Sequence, residues 1–386
     1  MAAHRHYCDY NATAPLRPEA RDAILDALDI GANPSSVHGQ GRRARAIIED
    51  ARDQIAASVG ACRDDIVFTS GGTEANAATL WGARDADPAL ELWVSAIEHE
   101  AVAAQSPARI LPVDEHGVLV LDALEAALGE LADGSRPLVS VMLANNETGV
   151  VQPVAEIADK VHAAGGLLHC DAVQAFGKIP VSVIDLEVDY LTVSAHKIGG
   201  PQGAGAFFLK PGVPFAARQI GGGQELGRRS GTENVAGIAG FGAAAVIAID
   251  AIDELRGLAA SRDEMEARLA AAVPSSAVHG ADVARLPNTS CFGLADFPAE
   301  TQVMAMDLAG VSISAGAACS SGKVAASRVL TAMGRTEAEA KSAIRASFGW
   351  ASTQDDFDVL ATAWIAAVQR ARPELVVNKE PAHVGD

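Results

Sequence analysis

The sequence predicts an α/β protein: a large unit built on a mostly parallel sheet with helices on its faces, then a smaller unit that mixes strands and helices. Two observations carry this. From about Arg17 to Phe208, helix-like segments alternate with short apolar runs, the pattern of strands buried on both faces between crossover helices. After the helical run Val235 to Ala272 that alternation gives way to a mixed pattern.

In chain order, the helical stretch Gly41 to Val59 precedes the strand Ile66 to Thr69, which meets the glycine turn Gly71-Gly72 and the helical run Ala77 to Gly82. The helix Val154 to Ala164 leads into Gly166-Leu167-Leu168-His169-Cys170-Asp171, apolar until its last residue. Asp189 to Ser194 reads as the next strand and runs through Ala195-His196-Lys197 into a Gly-rich turn. Val235 to Ile249 is rich in Ala and Gly and shorter than the ~20 residues that span a bilayer, so it reads as a buried helix, continuing to Ala272 with a break near Gly257. Beyond it come strands Thr289 to Leu294 and Ile344 to Phe348, and helices Glu300 to Leu308 and Ser327 to Met333. The expected division is a large domain over residues 12–250 and a small one over 251–386.

The composition fits a globular protein of two domains: 386 residues, 49% of them hydrophobic. A net charge of −19 argues against a general nucleic-acid surface, because phosphate contacts need a basic face. The five cysteines include no CxxC pair, and the first residues show no apolar signal core, which points to a reducing cytoplasm and no membrane segment. Metal ligation is not expected, since His169-Cys170 lacks a second pair at ligand spacing.

The chemistry gathers at strand ends, where ligands bind open α/β sheets. Asp171 and Lys197 close two consecutive strands. A lysine amine condenses with an aldehyde cofactor, and a carboxylate keeps a pyridine nitrogen protonated so that the ring can draw electrons from the substrate carbon; together they suggest pyridoxal phosphate. Upstream, strand, glycine turn and helix start at Thr69-Ser70-Gly71-Gly72-Thr73-Glu74-Ala75-Asn76 form an anion site, because unpaired amides and the helix dipole face the ligand there. Each feature alone has an ordinary reading: a helix cap for Asp171 or Thr73, a solvated loop residue for Lys197.

With these residues in view the chain resembles the cysteine desulfurases of the NifS and IscS type, within the class V aminotransferases of fold type I. The resemblance runs across most of the chain, through Asn11-Ala12-Thr13-Ala14-Pro15, Asn33-Pro34-Ser35-Ser36-Val37-His38, Glu98-His99-Glu100, Asn145-Asn146-Glu147-Thr148-Gly149, Asp171-Ala172-Val173-Gln174, Ser194-Ala195-His196-Lys197, Arg229-Ser230-Gly231-Thr232, Ala317-Ala318-Cys319-Ser320-Ser321 and Ile344-Arg345. It implies a seven-stranded sheet in the large domain, and residues 1–11 packed on the small one.

The resemblance also assigns roles. Lys197 would hold pyridoxal phosphate and shuttle protons, Asp171 would pair with the ring nitrogen, Gln174 would hydrogen-bond the ring oxygen, and His99 would stack on the ring. Gly72, Thr73, Ser194 and His196 would hold the phosphate, with Thr232 reaching the phosphate of a second subunit in a homodimer. Arg345, assisted by Asn146, would take the carboxylate of an amino-acid substrate, where a guanidinium fork matches two oxygens.

Cys319 decides the reaction that the resemblance implies: conversion of L-cysteine to L-alanine with a persulfide on Cys319, its sulfur then passed to an acceptor protein such as an iron–sulfur scaffold. The thiol lies in a small-residue segment expected to be mobile and accessible, and His99 is expected to take the thiol proton. Cys8, Cys170 and Cys291 adjoin apolar segments and read as buried structural cysteines. The long form of the segment, Ser314 to Met333, resembles the branch with a swinging loop. Departures from the family pattern are Gln202, where relatives often carry Lys, Ala317 and Ala318, and the tail Val376 to Pro381, which lacks a scaffold-docking match. Rival readings are a selenocysteine lyase or other class V enzyme, against which Cys319 argues, and a non-catalytic scaffold, against which Lys197 argues.

Overall fold

The structure, a computed structural model, describes residues 5–316 and 326–377. Thirteen strands occur there. They are β1 (His6–Tyr7), β2 (Ile66–Thr69), β3 (Leu90–Ser95), β4 (Arg109–Leu111), β5 (Arg136–Met142), β6 (Leu167–Asp171), β7 (Tyr190–Ser194), β8 (Gly205–Leu209), β9 (Ser276–Val278), β10 (Thr289–Leu294), β11 (Val311–Ser312), β12 (Ser314–Ala315) and β13 (Ala343–Ser347).

Seven of them form one sheet in the order β2-β8-β7-β6-β5-β3-β4. All pairs are parallel except those of β8 with β2 and β7. Because β2 and β7 both oppose β8, they point the same way, and the C-terminal ends of β2, β5, β6 and β7 share one edge of the sheet. β2, β6 and β7 are buried throughout, which is why each reads as an unbroken apolar run rather than an alternating one.

The helices Pro18–Ile30, Gly39–Val59 and Val235–Asp250 pack on one another beside this sheet. The second is entered through His38, whose ring accepts from Gly41 N–H, and ends at Gly60 with a left-handed φ of +71°. The expected long helix from Val235 does break at Gly257, between Ile252–Arg256 and Leu258–Ala272, but it is corrected at Ala251, where a second break with a 60° bend sets off Val235–Asp250. The turn lets the first piece stay buried among helices while the last joins another core. Among the described residues no single helix is long and apolar enough to cross a membrane.

That other core contains Met265, Leu269, Phe292, Phe348, Phe357 and Trp364, with Cys8 from the start of the chain. Its four-stranded sheet runs β12-β13-β10-β9, all antiparallel. β1 pairs in parallel with β11, so the N-terminal segment crosses this unit before reaching the large sheet at Asn11.

Candidate active site

A cavity of about 250 Å³ opens at the shared sheet edge, and its walls include Gly72, Thr73, His99, Asn146, Asp171, Gln174, Ser194, His196 and Lys197. At ~30 Å³ per liquid water this is room for roughly eight waters, on the scale of a small substituted ring. Residues spread over more than a hundred positions meet there because β6 and β7 end side by side, with Asp171 paired to Thr192.

Asp171 is the last residue of β6 and is buried. Asn76 Nδ2 donates to its Oδ2 at 2.7 Å, and Val173 N–H to its Oδ1 at 3.0 Å. Burial raises the carboxyl pKa, while those donors and the nearby His99 and Lys197 pull it down. A protonated ring nitrogen placed against it would supply the counter-charge that burial demands.

Lys197 ends a one-turn 3-10 helix, Ala195–Lys197, directly after β7. Its Nζ donates to the backbone oxygens of Asn11 at 2.6 Å and Ala12 at 2.9 Å. The N-terminal segment thus supplies the floor under the amine.

The helix Gly72–Ala86 points its N-terminus at the cavity, and no side chain caps it. Only glycine fits at position 72, since a Cβ there would stand 2.9 Å from Val173 Cγ2. Ser194 Oγ faces the same place, buried and with no hydrogen-bond partner among the described residues. Free amides, an orphaned buried hydroxyl and a helix dipole together make a phosphate cradle. Burial, helped by Lys197 and Lys178, lowers the His196 pKa to about 4, so this ring meets a ligand neutral at pH 7. Taken with Asp171 and Lys197, the cradle fits pyridoxal phosphate.

His99 caps the short helix Glu100–Ala103, and its Nδ1 accepts from Ala101 N–H at 3.1 Å. Burial lowers its pKa, and a neutral ring bonded in this way carries its proton on Nε2. The ring therefore presents a donor first. Taking a thiol proton, the role expected for it, requires that proton to leave or the Ala101 bond to break.

Arg345 and Thr232 do not line the cavity. Arg345 lies in β13 behind Asn146, giving Nη1 to the Asn146 carbonyl at 3.0 Å and Nη2 to Asp9 Oδ1 at 2.8 Å; its buried Nε has no partner among the described residues. Thr232 is exposed, on the loop before the helix Val235–Asp250. Cys319 lies outside the described residues. Gly316 and Ser327 flank that segment and both approach Glu147, whose Oε2 accepts from Ser327 Oγ at 2.5 Å and would sit 3.4 Å from a Cβ on Gly316. Burial raises the Glu147 pKa to about 7.

Sequence reasoning missed three contributors, namely Asn76 on Asp171, Asp9 on Arg345 and Lys178 on Gln174. The helical spacing from Thr73 to Asn76, one turn, was the available signal for the first. Cys8, Cys170 and Cys291 are buried as expected, and Cys62 is exposed.

The class-V aminotransferase family model matches residues 6–360. A cysteine desulfurase of Cereibacter sphaeroides is 43% identical over 369 residues, covering 92% of this chain and 94% of the relative. The solved structure of a NifS-like protein from Rickettsia africae superposes with a TM-score of 0.88 at 35% identity, covering 95% of this chain and all of the other. The structure of SspA in complex with cysteine matches with a TM-score of 0.76 at 29% identity over 89% of this chain and 98% of that one.

Proposed function

The chain belongs to the class-V aminotransferase family and groups with its cysteine desulfurases, and on that basis we propose that it converts L-cysteine to L-alanine, with the sulfur passing to Cys319 and then to an acceptor protein. The observation that carries this reading is the meeting of Asp171, Lys197 and the Gly72 helix start around one cavity.

When bound, pyridoxal phosphate supplies an electron sink that makes the substrate α-proton acidic and its C–S bond labile. The chain's residues do the rest. Asp171, oriented by Asn76 and Val173, holds a proton on the ring nitrogen. Gly72, Thr73, Ser194 and His196 hold the phosphate, joined by Thr232 of a second subunit in a homodimer. Lys197 carries the cofactor and, once released, moves the α-proton, with the carbonyls of Asn11 and Ala12 to receive its amine. Arg345 and Asn146 orient the substrate carboxylate. Cys319 thiolate attacks the substrate sulfur: an S–S bond forms, the C–S bond breaks with its electron pair left on carbon, and a proton taken up there gives alanine. His99, a donor at Nε2, suits that protonation.

The same reading places 12–250 in a cofactor-binding unit and 251–386 with 1–11 in a second, supported by their separate apolar cores. A cytoplasmic location is supported by four free thiols among the described residues. The test is direct: purified protein with pyridoxal phosphate, L-cysteine and a reductant forms alanine and sulfide in equal amounts. Formation of neither product by cofactor-loaded protein would remove the desulfurase reading.

A further inference from the structure

Gly177 takes a left-handed φ of +70°, and a Cβ there would stand 2.7 Å from Ile198 Cγ2. The turn it allows carries Lys178 under Gln174, four positions earlier, and buries the lysine to 4% exposure. Its Nζ lies 2.7 Å from Asn11 Oδ1 and 2.8 Å from Gln174 Oε1. Burial first, then the positive Lys197 and Arg345, push its pKa well below the usual lysine value, while the two oxygens that accept from Nζ oppose this and favour the ammonium form. An amine so placed is costly where an apolar side chain would fit, and the chemistry assigned above does not use it.

What it does is settle an amide. Either end of a glutamine side chain can be a donor or an acceptor depending on which way round it stands. Because Lys178 needs an oxygen, Oε1 of Gln174 is turned to it, and Nε2 is turned away, donating to Asn11 O at 3.0 Å. Nε2 has a second hydrogen, and Gln174 lines the cavity.

We propose that Lys178 is a positioning residue for the cofactor: it fixes the Gln174 amide so that a donor meets the oxygen on the ring, and it places a positive charge behind that amide. The inference rests on the reading that Lys197 carries pyridoxal phosphate. A donor and a nearby cation both favour negative charge on the ring oxygen, so the bound cofactor loses its proton at a lower pH with Lys178 than without it. The other charged or titratable groups around it, Asp171, His99, His196, Lys197 and Arg345, are common to every variant below.

The experiment is a pH titration of the visible absorption of bound cofactor in wild-type, Lys178→Met and Lys178→Gln holoenzymes. Methionine keeps the length and lacks any donor; glutamine keeps a donor and lacks the charge. The midpoint is expected to rise by on the order of one pH unit in K178M and by less in K178Q. A K178M midpoint equal to the wild type overturns the proposal. Should K178M not fold, K178Q decides alone, a rise supporting the proposal and an unchanged midpoint overturning it. A wild-type protein without any visible absorption would instead remove the underlying cofactor reading.

Discussion

Lys197→Ala protein is expected to lose the visible absorption of bound pyridoxal phosphate and to turn over L-cysteine at least roughly 10³-fold more slowly than wild type. The loss is large because one side chain does two jobs at one place. Its amine stands in the cavity on the carbonyls of Asn11 and Ala12, where it can both attach the cofactor and reach the α-proton. The other amine close by cannot replace it, since Lys178 is buried with its Nζ committed to Asn11 and Gln174. The substitution deletes bonds to two loop carbonyls and leaves the apolar clusters intact, so circular dichroism should be unchanged. Absorption spectra and an alanine assay on the same preparations check both parts.

Cys319→Ala is the second large effect, and it has the opposite signature: full cofactor absorption with sulfide release lowered by about 10³-fold or more. No other thiol in the chain is placed to take over. Cys8, Cys170 and Cys291 are buried, and burial raises their thiol pKa values so that almost no thiolate forms at pH 7. Cys62 is exposed, but it precedes the 3-10 turn Arg63–Asp65 at the start of β2, whereas the cavity lies beyond the end of that strand. Turnover in C319A equal to wild type would refute Cys319 as the nucleophile.

Much of the site could be read from sequence because its parts sit at the ends of short apolar runs. β6 and β7 are buried on both faces, so their runs end where the polar residues Asp171 and Ser194 begin the site. The Gly71-Gly72 turn announced a helix start for the same local reason. What stayed hidden depends on contacts between distant positions. Asn76 meets Asp171 from 95 residues away, and Lys178 meets Asn11 from 167; neither spacing leaves a periodic trace. The bend at Ala251 was hidden too, because Ile249-Asp250-Ala251-Ile252-Asp253-Glu254-Leu255 continues the helical pattern without a glycine or proline through the point where two cores pull the chain apart. The proton on His99 is set by a backbone amide, Ala101 N–H, that no side-chain pattern reports.

One measurement reaches the lysine itself. Holoenzyme is reduced with borohydride, digested, and its peptides weighed by mass spectrometry. The expected result is a phosphopyridoxyl adduct on the peptide containing Lys197 and on no other. An unmodified Lys197 peptide, with the adduct on another lysine such as Lys178 or Lys210 or absent altogether, would contradict the chemistry assigned to this cavity.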